Sequence, residues 1–568
     1  MIFWLSCNDH PNLNSYITRH TSYVTNITKK IIIQRIRHQK SKAMKNNTNI
    51  LIIIILGFLF NIVMPWVSVT AQNITSKKEL RSGNNPAGYR DTDGHELVFN
   101  IKDSRDTLVY LVIHYNDKLI LKDSVKPAGR NRFVFKGPNR YDDGMYSLVS
   151  MDKKLYLNFI LDRNQHFEYS LDTAMNLDNV TVKNSPENAE MLRFQRKTAQ
   201  ASKDADEWSG KRKEFEEAGN ADSAGYYKEK LTRINDEMQV FIQDLIDRNP
   251  DFLFSKMQKS YQNIDIPEYK TEDGEPDYMK QAAYYRLHYW DNVDLADHRF
   301  IYIPSFDPKM KDYFLKLLYH QEADTINKYI DIFLEKTEKD TFMYHYCTDW
   351  LSYQFETSKV IGHDAVFCHI AKTNQLAGKC YWLDEDVLAL YGKRIKRLEP
   401  TLIGRIAPEL IIPDTTMPED MTRWHSSYNM EKPYTILWFY DPNCHFCKAE
   451  SKKLCGVYDS LQAIGSRNFD VYAIADGADI DRWKRYVREN NYPWLQVGGN
   501  KGNLDYLEYF DITSNPAMFI MENRDHRIIL NKRIEMSSIP QFLEEYEKMI
   551  GNRQQATGNR QKATGNRQ

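Results

Sequence analysis

Two cysteines, Cys444 and Cys447, stand three apart in the stretch FYDPNCHFCKAE, residues 439–450. That spacing suits three chemistries: a dithiol that cycles with a disulfide, part of a metal site, or a permanent structural bridge. The surrounding pattern bears on the choice. An apolar run, Tyr434–Tyr440, precedes the pair and reads as a strand, and a helix is expected over about 444–463. Cys444 then opens a helix, where partial positive charge and unsatisfied amide donors favour a thiolate. A lowered pKa puts more of the thiol in its nucleophilic form. Positions i and i+3 share a helix face, so Cys447, one turn in, can reach the sulfur of Cys444. The natural roles are attacking thiol for Cys444 and resolving thiol for Cys447. His445, when protonated, adds a charge that favours the Cys444 thiolate. Structural zinc usually takes four ligands, whereas Cys444, His445 and Cys447 offer three and no second CxxC exists.

Other reactive residues have plainer readings. Cys455 lies on nearly the same helix face as Cys444 but roughly 16 Å along the axis, beyond disulfide reach, and reads as a core or spectator thiol. Cys368 and Cys380 either pair or remain buried free thiols. His363, Asp364, Cys368 and His369, with His345 and Cys347 upstream, hint at a metal but fall on different faces of a helix, which suits core or surface positions. Tyr284, Tyr285, His288, Tyr289 and Trp290 form an aromatic stripe that reads as core. The basic run Lys393, Arg394, Lys396 and Arg397 reads as a solvated helix face.

The elements that must position the pair begin at Gly404. From there the order is β-α-β-α-β-α-β-β-α, with strands at Tyr434–Tyr440, Phe469–Ala475, Trp494–Val497, Ala517–Met521 and Arg527–Asn531. Helices are expected at about 444–463, 479–490, 503–509 and 537–549. Such alternation implies parallel strands with helices on both faces. Upstream, residues 93–175 carry β-branched and aromatic runs between turn signals and read as a small antiparallel β domain. Residues 185–400 have helical spacing, for example Lys228–Asp247, Lys309–Tyr319 and Thr325–Lys336, and read as a mostly α-helical domain. Residues 73–92 form a polar linker, and 551–568, a GNRQ repeat without large apolar residues, a disordered tail. The chain of 568 residues has room for two to four domains. Lys and Arg (76) nearly cancel Asp and Glu (77), so there is no global field to attract nucleic acid.

One long apolar run, Ile50–Val63, follows Met44 and Lys45 and is followed in turn by Val69-Thr70-Ala71. Read from Met44, residues 44–71 form a secretory signal, and 1–43 a doubtful N-terminal extension. The same run also reads as an uncleaved signal anchor, though it is short of the roughly 20 residues of a comfortable span. Either reading places residue 72 onward in the periplasm or cell envelope, where disulfides are permitted.

Residues 404–550 resemble the thioredoxin superfamily, specifically the exported TlpA-like thiol–disulfide oxidoreductases. The resemblance rests on GRIAPEL at 404–410, CHFCKAE at 444–450 and Ser514-Asn515-Pro516-Ala517 before a late strand. It implies a cis-proline at Pro516 beside the cysteine pair. It also implies that Glu450, three residues after the second cysteine, tunes thiol pKa and relays protons; a solvated helix position is the other reading. Asn443 stands where many relatives have Trp, Ser451 where a helix-kinking proline is frequent, and Asp441 where the peroxidase branch has Thr. The whole arrangement resembles exported proteins of Bacteroidetes. The fold class implied is multidomain α/β, a thioredoxin-like α/β sandwich preceded by the helical and β domains. The function implied is thiol–disulfide exchange on protein clients in the cell envelope, with no cofactor or metal, recharged by a membrane or periplasmic thiol–disulfide relay. The alternative is a non-catalytic envelope binding or assembly protein on the same scaffold. Cleavage predicts that N-terminal sequencing of the mature protein begins at Gln72; an anchored chain retains an N-terminus upstream of Ile50.

Overall fold

The computed structural model describes residues 94–550 except 117, 320, 415–422, 477–478 and 499–503. The extension at 1–43, the signal or anchor at 44–71, the linker at 73–92 and the repeat tail at 551–568 lie outside the described residues. The described chain forms two compact units. One holds residues up to 319 with 329–346, the other 321–328 with 347 onward. The division runs through the helical stretch: residues 347–402, grouped by their sequence with the helices before them, belong with the C-terminal sheet.

In the first unit, one sheet contains β1 (His95–Lys102), β4 (Pro127–Gly129), β5 (Arg132–Gly137), β8 (His166–Asp172) and β9 (Thr181–Lys183), in the order β4-β5-β1-β8-β9. A second contains β2 (Val109–Tyr115), β3 (Lys118–Val125), β6 (Gly144–Ser150) and β7 (Leu155–Leu161), in the order β3-β2-β6-β7. Their shared core centres on Phe99, whose ring lies 5.3–6.3 Å from those of Phe135, Phe159, Phe167 and Tyr169. The expected all-antiparallel arrangement needs correction, because β1 and β8 pair in parallel. The chain alternates between the sheets, from β1 to β2–β3, back to β4–β5, out to β6–β7 and back to β8, which joins the other edge of β1 in parallel.

Helices α1 (Pro186–Glu217) and α2 (Ala221–Arg248) follow as a long hairpin. Proline at the first helical position suits the start of α1, since no amide donor is needed there. Gly219, at φ +71°, turns the chain between the helices, and the Asn220 side chain caps α2 by accepting the Ser223 N–H. Further helices are α3 (Leu253–Ser260), α4 (Tyr278–His288), α5 (Phe306–Asp312), α6 (Ala323–Thr337), α7 (Thr341–Glu356), α8 (His363–Ile370) and α9 (Glu385–Leu398). Trp290, just past α4, packs against Phe306, Tyr313, Phe314 and Phe333, so the aromatic stripe contributes to a core.

The C-terminal unit carries a small hairpin, β10 (Ile411–Asp414) with β11 (Arg423–Ser426), that had no signal in the sequence analysis. Its main sheet contains β12 (Tyr434–Tyr440), β13 (Phe469–Ala475), β14 (Leu495–Val497), β15 (Ala517–Glu522) and β16 (Arg527–Leu530). The order is β14-β13-β12-β15-β16, with β14, β13 and β12 parallel and the last two strands antiparallel to their neighbours. Every residue of β12 is buried because both faces are covered. Ile436, Trp438 and Tyr440 face α10 (His445–Ala463), α11 (Ile480–Asn490) and α12 (residues 539–550). Leu437 and Phe439 face Tyr506, Phe510 and Phe519.

Residues 347–402 are tied to this sheet by polar contacts. Asn531 donates to Asp364 and to the Thr401 carbonyl at 3.1 Å, and Lys532 donates to the Ser358 carbonyl at 2.5 Å. Arg394 pairs with Asp511 at 3.2 Å, and Lys396 with Glu508 at 2.6 Å. Arg394 and Lys396 thus make ion pairs where a purely solvated face was expected.

The outer strand β7 has an unusual partner. The side-chain amide of Asn188 accepts the Ile160 N–H at 2.8 Å and donates to the Ile160 carbonyl at 2.7 Å, both buried. An apolar side chain cannot replace either bond. Asn188→Leu should lower the urea unfolding midpoint, at a cost of about 1–3 kcal/mol for each orphaned backbone group, with the denaturant slope unchanged.

Candidate active site

Three loops meet at one end of the main sheet. Strand β12 ends at Tyr440 and leads into the cysteine loop, and the parallel strand β13 ends beside it at Ala475. Strand β15 runs the opposite way, pairing Ala517 with Phe439, so Pro516 enters the sheet at the same end. The Asp476 N–H donates to the Tyr440 carbonyl at 2.8 Å. The Asp476 carboxylate accepts from Asn515 at 2.8 Å and from the Tyr506 hydroxyl at 2.8 Å. Asp476 thereby holds the residue next to Pro516 against the end of the sheet, and the Asn515–Pro516 peptide bond is cis.

The cysteine loop is shaped by Asp441. Its carboxylate accepts the Asn443 N–H at 2.8 Å and its carbonyl the Cys444 N–H at 3.0 Å, which turns the chain and delivers Cys444 as the N-cap of α10. The Cys444 sulfur accepts the Cys447 N–H at 3.2 Å, in the position a capping oxygen normally takes. This bond satisfies an amide that the start of the helix would otherwise leave unpaired. Cys444 is partly exposed, whereas Cys447 is fully buried. Burial, then the hydrogen bond with Cys444, pushes the Cys447 thiol up to about 12. One sulfur is presented to solvent and the other is held protonated beneath it.

His445 is exposed at the first position of α10 and makes no hydrogen bond to Cys444 among the described residues. Glu450 is not a solvated helix residue. It is 5% exposed, with Lys453 at 2.8 Å from one carboxylate oxygen and Arg533 at 3.4 Å from the other. The buried Ser451 hydroxyl accepts the indole N–H of Trp438 at 2.9 Å, a bond proline could not make. Behind the loop, Trp483 donates to the Tyr440 hydroxyl at 2.9 Å, and that hydroxyl donates to Gln496 at 2.7 Å. Asp476 and Arg533 had no mark in the sequence. Each acts on residues tens of positions away, through a surface loop without periodicity.

The remaining cysteines stay apart from this site. Cys455 donates to Asp459 at 3.4 Å, and burial raises its pKa to about 11. Cys368 and Cys380 are both free and buried, each pushed up to about 12 by burial. Asp364 is engaged by Asn531, and His363 shares a hydrogen bond with Ser358 at 2.8 Å. Among the described residues, no group of three or more His, Cys, Asp or Glu is placed to hold a metal.

A family model described as a domain of unknown function (DUF5106) matches residues 227–385. No curated protein matches the chain. Solved structures do match. A thioredoxin-like protein from Bacteroides caccae is 18% identical, with 50% of this chain and 98% of that chain covered and a TM-score of 0.40. A domain of a possible thiol-disulfide isomerase from Cytophaga hutchinsonii is 28% identical, covering 27% of this chain and 97% of that one, with a TM-score of 0.23. The thioredoxin domain of a thiol-disulfide oxidoreductase from Bacteroides vulgatus is 20% identical, covering 25% and 96%, with a TM-score of 0.22.

The two sulfurs should respond differently to alkylation. A thiol with a raised pKa stays protonated and inert at neutral pH, and gains thiolate only as pH climbs toward that value. In the reduced protein at pH 7, iodoacetamide should label Cys444 and leave Cys447 unmodified by peptide mass mapping; Cys447 labelling should grow steadily above pH 9.

Proposed function

We propose that the chain is a thiol–disulfide oxidoreductase acting on protein clients in the cell envelope through Cys444 and Cys447. The observation that carries this reading is the N-capping sulfur: Cys444 is partly exposed and accepts the amide of Cys447, with the second thiol directly beneath it. In the reducing direction, the Cys444 thiolate attacks one sulfur of a client disulfide. A Cys444–client bond forms, the client S–S bond breaks, and the leaving thiolate takes a proton. Cys447 then loses its proton and attacks the Cys444 sulfur, which forms the Cys444–Cys447 disulfide and releases the second client thiol. Two electrons pass to the client, and a thiol–disulfide relay of the envelope returns them. The oxidising direction runs the same steps in reverse. Pro516 shapes the site and presents backbone to the client chain, and Glu450 takes part in proton movement. His445 favours the thiolate when protonated.

The test is to trap the intermediate. Cys447→Ala should accumulate Cys444-linked client adducts that dissolve on reduction, and Cys444→Ala should yield none. Exchange activity should fall to background in both variants. Absence of adducts from Cys447→Ala, with the protein folded and located in the envelope, would overturn the reading.

A further inference from the structure

Basic residues on the long helices of this chain meet a carboxylate one turn away. Lys211 pairs with Glu207 at 2.7 Å, Arg233 with Glu237 at 3.0 Å and Arg248 with Asp244 at 2.9 Å. The redox helix α10 differs on one face. Lys448 and Lys452 are exposed, and no position three or four residues from either holds Asp or Glu. Among the described residues neither lysine meets a carboxylate. They also stand four apart, where like charges repel across one turn. The one acidic residue between 445 and 458, Glu450, is buried on another face and held by Lys453 and Arg533. The carboxylates nearby are engaged. Asp441 accepts the Asn443 N–H, Asp459 accepts from Cys455, Asp476 accepts from Asn515 and Tyr506, and Glu535 faces Lys453.

The uncompensated lysines lie in line with the exposed sulfur. Cys444, Lys448 and Lys452 recur every four residues, which places them along one stripe of the helix. Along the axis the lysines follow Cys444 by about 6 and 12 Å. An extended peptide advances about 3.3 Å per residue and turns every second side chain to the same side. Residues two and four positions from a cysteine in such a peptide are therefore offset from it by about 7 and 13 Å, in step with the two lysines.

We propose that this stripe is a client-recognition surface, and that it selects an acidic segment: a client disulfide with carboxylates two and four residues from the cysteine. The inference rests on the redox reading of the pair and names the client chemistry. The client's carboxylates supply the counter-charges that α10 lacks, and docking lays the client sulfur against Cys444. The covalent steps are those given above: the Cys444–client bond forms as the client S–S bond breaks, the leaving thiolate takes a proton, and Cys447 resolves the mixed disulfide.

The probe is the reduced full chain, oxidised in a single turnover by three synthetic peptides. Each carries one cysteine joined by a disulfide to a small neutral thiol, with Glu, Gln or Lys at the second and fourth positions from that cysteine. At low salt the second-order rate constant should be about tenfold higher for the Glu peptide than for the Lys peptide. In about 1 M salt, where screening shortens to about 3 Å, the two should converge. Lys448→Glu combined with Lys452→Glu should invert the preference, and Lys448→Arg combined with Lys452→Arg should keep it. Equal rates for the three peptides at low salt overturn the proposal. So does an unchanged preference in the folded Glu variant, or an equal fall with all three peptides, which would mark a change in thiol reactivity rather than in recognition. Exchange without preference overturns this inference alone. A wild-type chain that is oxidised by none of the peptides overturns the proposed function and this inference with it.

Discussion

A helix that starts where a buried central strand ends must satisfy its first amide groups, and here a sulfur does so. The Cys444 thiol stands in the N-cap position and takes the amide of Cys447. The bond that starts the helix therefore also holds the more exposed of the two sulfurs in place. It also fixes the second thiol, because the donor amide belongs to the residue carrying it. The surrounding structure serves this contact. Strand β12, covered on both faces, ends at a defined point, and the Asp441 turn brings the chain round so that the sulfur faces the amide.

The sheet end is organised by carboxylates rather than by apolar packing. Asp441 makes the loop, Asp476 holds Asn515 and Tyr506, and Glu450 sits buried between Lys453 and Arg533. Glu450, the buried one, must find donors or cations, and Lys453 and Arg533 supply them. The three consecutive residues 531–533 contact both the helical segment and the redox helix.

The serine at 451 has a local physical reason. A proline at 451 would remove the hydroxyl that pairs the buried indole of Trp438. In the N-terminal unit, β1 pairs antiparallel with β5 on one side and parallel with β8 on the other. Turn signals along the chain mark where strands end; they do not say which sheet a strand rejoins.

Local pattern alone determined much of what surrounds the cysteines. The apolar run Tyr434–Tyr440 is the observed strand β12 to the residue, and the helix expected from about 444 is α10, opening at His445 with Cys444 as its cap. Those features depend on side-chain periodicity and on spacing within one turn, which a sequence displays directly. Tertiary structure decided the rest. Glu450 could be solvated or buried on a helix read in isolation, and only the packed helices around it, with Arg533 from beyond β16, made it a buried, paired carboxylate. Asn188 completing β7, Asp476 clamping Asn515 and the hairpin β10–β11 were equally silent. Each depends on a contact between residues far apart in the chain, or on strands too short to carry a period. Such contacts exist only once the sheets and helices have brought their ends together.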